Sequence, residues 1–267
     1  MRQLTILTVF ISTLFVTFVS SNTEDLTDIL PESHHSKLFR EIYTQLATSH
    51  YSTVALNDQL SEAYLTTYID RLDSPKRFFM ASDIAEFKKW QYKLDDLAKR
   101  GDLSAGFEIF NLLRERATDR LRHNIELLEN KQHKFDFTLD EHIFLDADDR
   151  DWFIDSKQAD DFWRKAMKDS MIRLMLSGKE QQEARKLLIK RYKALLNRYI
   201  QRNSKDVFQQ YANAFASLYD PHSSYFNPRS SENFQINMSL SLEGIGAQLT
   251  TEDEFTEVVD VITGGPA

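Results

Sequence analysis

The feature that most constrains this chain is a change of hydrophobic period at Asp220-Pro221. From about residue 32 to residue 219, apolar side chains recur at spacings of three and four, the signature of amphipathic helices. Ile84, Phe87, Trp90, Leu94 and Leu97 form one stripe, with Asp83 and Glu86 spaced as a capping box before it. Phe110, Leu113, Ala117, Leu121, Ile125 and Leu128 form a second, and Gly101 and Gly106 flank the expected turn between the two. Leu188, Tyr192, Leu195 and Tyr199 mark a third, opened by Ser177 and Glu180. Ser204 is placed as the cap of a fourth, through Val207, Tyr211, Phe215 and Leu218. Helices with a weaker pattern are expected over about 34–49, 57–72 and 158–176. Only 7 Gly and 5 Pro, against 19 Phe and 10 Tyr, suit long helices better than many short strands.

Proline disfavours helical backbone at the residue before it, so an element boundary belongs at Asp220. Downstream, Ile236, Met238, Leu240 and Leu242 alternate with polar residues, which predicts a half-buried strand. Gly244-Ile245-Gly246 interrupts it, an extended run resumes over 247–249, and a second strand is expected over 258–262. Four of the seven glycines lie in the last 24 residues, so the composition marks a new module. An uncovered hairpin is marginal in water, and the chain reads as ending inside a domain. The expected fold class is mainly α: a helical domain over 22–219, a junction over 220–235, and the first strands of a second domain over 236–267.

Residues 1–21 carry a positive charge at Arg2 and an uncharged run over 4–19, the layout of a secretory signal peptide. Export without a single cysteine points to a bacterial periplasmic protein rather than a disulfide-dependent secreted domain. Membrane association is expected only if this leader stays uncleaved. With 41 acidic and 33 basic residues the net charge is −8, which disfavours a nucleic-acid partner.

Searches for chemistry mostly fail. There is no Gly-x-Ser-x-Gly, Ser-x-x-Lys, phosphate loop or His-Glu-x-x-His. His34 and His35 adjoin, but adjacent residues do not share a helix face, so no metal is expected there. The acidic run over 136–161 offers Asp146, Asp148 and Asp151, yet Arg150, Asp151 and Lys157 fall where a calcium loop needs a ligand, a glycine and a glutamate. The basic run from Arg185 to Arg202 reads as the solvated face of a helix, paired with that acidic stretch. No catalytic residue, metal or cofactor is assigned to the chain.

One place has a mechanism. Gly244 and Gly246, separated by one apolar residue, can turn successive backbone N–H groups into a carboxylate-binding concavity. The following run, Ala247-Gln248-Leu249, can offer a strand edge to an extended peptide. Local pattern alone favours a glycine bulge in a hairpin.

At these residues the sequence resembles a known family. Tyr219-Asp220-Pro221-His222-Ser223-Ser224-Tyr225-Phe226 is similar to the Asp-Pro-His-Ser/Thr-x-Tyr segment of carboxyl-terminal processing proteases. Residues 238–247 resemble the entry into their PDZ domain, and Gly264-Gly265-Pro266-Ala267 the turn before its first helix. The helical part, with pieces such as 78–83 and 191–193, resembles the N-terminal domain of the tail-specific proteases of the bacterial periplasm. The resemblance implies a metal-independent serine-type peptidase with a serine–lysine dyad, acting on protein or peptide substrates with apolar C-termini. It implies that Gly244, Ile245, Gly246 and Ala247 form the carboxylate-binding loop of a truncated PDZ domain and that Leu249 lies on the peptide-pairing strand. The family's dyad falls downstream of the PDZ domain, so this chain alone is expected to be inactive, and a triad of Asp220, His222 and Ser223 is not expected from neighbours in a proline turn. An adaptor protein is a possible further partner. The competing expectation is a noncatalytic secreted helical scaffold that binds partners through its terminal strands.

Overall fold

The computed structural model describes residues 26–239, 245–252 and 255–264, so the expected signal peptide lies outside the described residues. Among these residues nine α-helices precede one β-hairpin. The spine is α5 (Ser104–Glu129), 26 residues and about 39 Å long at 1.5 Å per residue. Phe110, Leu113, Ala117, Leu121, Ile125 and Leu128 are buried along it, as the period requires. Around its first half pack α1 (His35–Ser49), α2 (Asp58–Asp73), α4 (Leu94–Arg100) and α8 (Ser204–Ala216). Its last turn meets α6 (Ser156–Leu176) and α7 (Gln181–Ile200) through Leu128, Met167, Met171 and Leu188.

Aromatic rings fill the first half. Tyr211 of α8 sits at the centre, with Tyr64, Tyr68 and Phe39 at ring separations of 4.8, 5.0 and 5.5 Å. Two of the buried hydroxyls find backbone partners: Tyr64 donates to the carbonyl of Tyr211 and Tyr68 to that of Gly106. Gly106 is therefore a core position inside α5 and not part of a turn. Gly101 does end α4, with φ +71, and lies so close to α1 that a Cβ would meet the Ser36 carbonyl oxygen at 2.3 Å.

The stripe from Ile84 to Leu97 is not one helix. It divides into α3 (Ala81–Phe87), a 3-10 turn at Lys88–Trp90 and α4. The buried Ser61 hydroxyl accepts the Leu94 amide at 2.7 Å, satisfying a free donor at the start of α4 and holding the break. The expected caps shift by short steps. Asp83 lies inside α3 and reaches back to the Met80 amide at 2.9 Å. Glu180 precedes α7 while Ser177 closes α6, and Asn203, not Ser204, caps α8 by accepting from Lys205 and Asp206.

The largest correction concerns the strand expected over 236–242. Residues 236–239 belong to a helix, α9 (Pro228–Ser239), and residues 240–244 lie outside the described residues. Asn227 accepts the Ser230 amide and Pro228 stands at the first helical position, both strong helix starts. A strand needs a neighbouring strand to satisfy its backbone, and the sheet among the described residues pairs β1 with β2 alone. Beyond it, β1 (Ala247–Glu252) pairs antiparallel with β2 (Phe255–Val261), which begins earlier than expected.

Candidate functional site

Two regions carry the residues singled out from sequence: the junction after α8 and the entry to β1. After α8 the chain folds back along that helix. The Tyr225 amide donates to Asn213 Oδ1 at 2.6 Å and the Asn227 amide to Gln209 Oε1 at 3.3 Å. The Tyr225 ring meets Phe208 edge-on at 5.3 Å. These two amide side chains are anchors that sequence reading missed, since polar residues on a helix face signal solvent as readily as a partner.

The junction is also tied to the end of α1. His50 Nδ1 accepts the Ser52 amide at 3.1 Å, which leaves the ring proton on Nε2. Nε2 donates to Ser223 Oγ at 3.1 Å, and Ser223 in turn donates to Asp220 Oδ2 at 3.3 Å. The order is imidazole, hydroxyl, carboxylate. A nucleophilic triad needs the imidazole in the middle, with its free nitrogen facing the hydroxyl. Here the carboxylate accepts the serine's hydrogen bond, and the set acts as a clip joining α1 to the junction. His222, the neighbour that invited a triad reading, is exposed and has no hydrogen bond among the described residues.

At the second region Gly244 lies outside the described residues. Ile245 is exposed, and Gly246 bends the chain with φ +74, a region glycine enters without strain. The Gly246 carbonyl accepts the Ile262 amide at 2.7 Å, extending the ladder past Ala247. Between Gln248 and Leu249 the register shifts: Gln248 faces Asp260 and Leu249 faces Val258, so Val259 is the extra residue of a bulge. Leu249 is 47% exposed. Among the described residues the sheet has two strands, so one edge of β1 has no strand beside it.

The other motifs resolve into structure. His35 stacks on Phe208 at 4.4 Å and its Nδ1 accepts the Glu32 amide at the start of α1; against the expectation for adjacent residues, ligand atoms of Glu32, His34 and His35 lie within 4.8 Å of one another. Burial lowers the His35 pKa, which suits a neutral ring. In the acidic stretch, Glu141 pairs with Arg164 and Lys168 of α6, and not with α7. Asp146 accepts the Asp148 amide, as a turn residue does. Two α7 cations look elsewhere: Arg185 binds the carbonyls of Leu128, Asn130 and His133, and Lys193 pairs with Glu129. Among the described residues no helix is long and apolar enough to cross a membrane.

Comparison with known proteins places the helical part in a family. The family model described as "Tail specific protease N-terminal domain" matches residues 42–229, from within α1 to the start of α9. Over 225 residues the chain is 35% identical to the "Tail-specific protease" of Haemophilus influenzae. The match covers 84% of this chain and 32% of that relative, so the chain spans about a third of the relative's length. The helices that build the aromatic core and clip the junction are therefore those of a known domain, and the chain belongs to the tail-specific protease family.

Proposed function

We propose that these residues form the N-terminal part of a periplasmic serine-type peptidase that recognises and cleaves proteins at or near their C-termini. In this reading the loop of Gly244, Ile245, Gly246 and Ala247 receives the substrate carboxylate and β1 adds the substrate tail as a further strand, with Leu249 on the pairing strand. The observation that carries it is the left-handed bend at Gly246 leading into a strand with an edge that has no strand beside it among the described residues. No serine or lysine of the chain is assigned to the chemistry, and the activity belongs to the whole protease.

The test compares two tails on the complete enzyme, one apolar with a free C-terminal carboxylate and the same tail amidated. The free tail is expected to be cut and the amide to resist. A Gly246→Val enzyme is expected to lose discrimination between them, because the side chain fills the bend. Equal cleavage of both tails by the parent enzyme overturns the carboxylate reading. The 267-residue chain by itself is expected to cut neither.

A further inference from the structure

We propose that the open cleft at the start of α5 docks a cationic, amphipathic segment of a partner polypeptide. The cleft measures about 940 Å³ and lies between residues 28–36, the turn at 100–104 and the first turns of α5. Its outer wall is an extended segment held by its backbone. Asn111 bonds both the amide and the carbonyl of Ile29 at 3.0 Å. Arg114 donates to the Thr27 carbonyl at 2.9 Å, and Ser204 to that of Leu30 at 2.6 Å. With its backbone so fixed, Leu30 leaves its side chain 69% exposed at the cleft, beside the partly buried Leu112.

The rim defines the charge of the occupant. Among the described residues, Asp28, Glu32, Asp102, Glu108 and Glu115 line the cleft against a single lining cation, Arg100. Glu108 is paired with Lys89, Glu32 lies 3.6 Å from His34, and Asp28 feels the charge of Arg114, but Asp28 and Glu115 make no ion pair among the described residues. An anion is repelled here, and a purely apolar ligand would strip water from unpaired carboxylates. A small cation would leave the apolar surface wet. A segment that places Lys or Arg against the rim and a large apolar side chain on Leu30 and Leu112 satisfies both, with the charges speeding encounter and the apolar contact holding it. This docking is separate from the carboxylate loop and does not depend on it.

The test is fluorescence anisotropy of a labelled helical peptide, about 15 residues long, with Lys on one face and Leu on the other, titrated with the chain. Saturable binding is expected, weakening as salt rises. Asp28→Lys/Glu115→Lys is expected to weaken it at least about tenfold. Leu30→Asp adds a negative charge, so an affinity loss there isolates the apolar contact. Asp148→Lys/Asp149→Lys, on an exposed loop outside the cleft, is the control and is expected to bind as the parent does. Thermal melts confirm that each variant is folded, and Leu30→Ser replaces Leu30→Asp if the latter is not. The proposal is overturned by unchanged binding in the cleft variants or by equal loss in the control. Equal binding of a peptide with Ser at every Leu overturns it too, as does sedimentation showing that the cleft instead seats a second copy of the chain.

Discussion

The ring of Tyr211 lies against the backbone of Gly106, so closely that a Cβ built there would sit 2.6 Å from two ring carbons. Tyr68 closes the contact by donating to the Gly106 carbonyl. The close approach of α5 and α8 therefore rests on one missing methyl group. Gly106→Ala gains about 1 kcal/mol of helix propensity. It must also displace a fully buried ring, and overpacking costs about 1–3 kcal/mol. A net loss of up to about 2 kcal/mol is expected, read as a lower urea midpoint at unchanged slope. A midpoint equal to or above the parent's would show that the ring yields freely.

Asp73 organises the loop after α2. Its Oδ1 accepts the Arg77 amide at 2.9 Å, and its Oδ2 accepts those of Phe78 and Phe79 at 2.8 and 3.0 Å. Burial raises its pKa, opposed by these three bonds. The folded state then holds the proton more tightly than the unfolded chain. That contribution is fully present below the ordinary value of 3.8 and is lost as pH rises through the folded value. Asp73→Asn turns an NH2 group towards at least one buried amide and is expected to cost about 1–3 kcal/mol. It also removes the group's titration, so the stability difference between parent and variant should change across the acid range. Parallel pH curves for the two proteins would contradict this account.

Glu141 works in the opposite sense. Bonds from Arg164, then Lys168, draw its pKa from 4.5 down to about 2. Its contribution is present above 4.5 and is lost as pH falls through about 2. Glu141→Gln is expected to flatten the melting temperature against pH over that window. Because the group is partly exposed, added salt should shrink the difference. An unchanged acid limb in the variant would remove the pair from the stability account.

Ser223→Ala cuts the clip between His50 and Asp220. A loss of about 0.5–1.5 kcal/mol is expected where the clip acts. Its main sign should be faster amide exchange over 220–230, with the core helices unchanged. Uniform exchange throughout the chain would mean that the clip supports the whole fold and not the junction alone.

The helical class was legible because burial at three- and four-residue spacing is a property of the segment itself. The stripe of α5 is buried as its period demands. The strand pair after the glycines was legible in part, since the extended run at 247–249 lies in β1 and Val258 to Val261 lie in β2. Of the candidate loop, the bend at Gly246 and the exposure of Ile245 and Leu249 are on view, while Gly244 lies outside the described residues.

Three features were decided elsewhere. The alternation at 236–239 suits a strand, but a cap at Asn227 and the lack of a neighbouring strand among the described residues leave that stretch in α9. One continuous stripe became two helices because Ser61, 33 residues before Leu94, takes its amide. His50 and Ser223 are 173 positions apart and carry no mark that they meet. Periodicity and caps are written within a few residues of chain, so sequence alone specifies helices and a family. Close approaches, helix breaks and clips depend on which distant groups the packed core brings within bonding distance, and only the tertiary structure decides those.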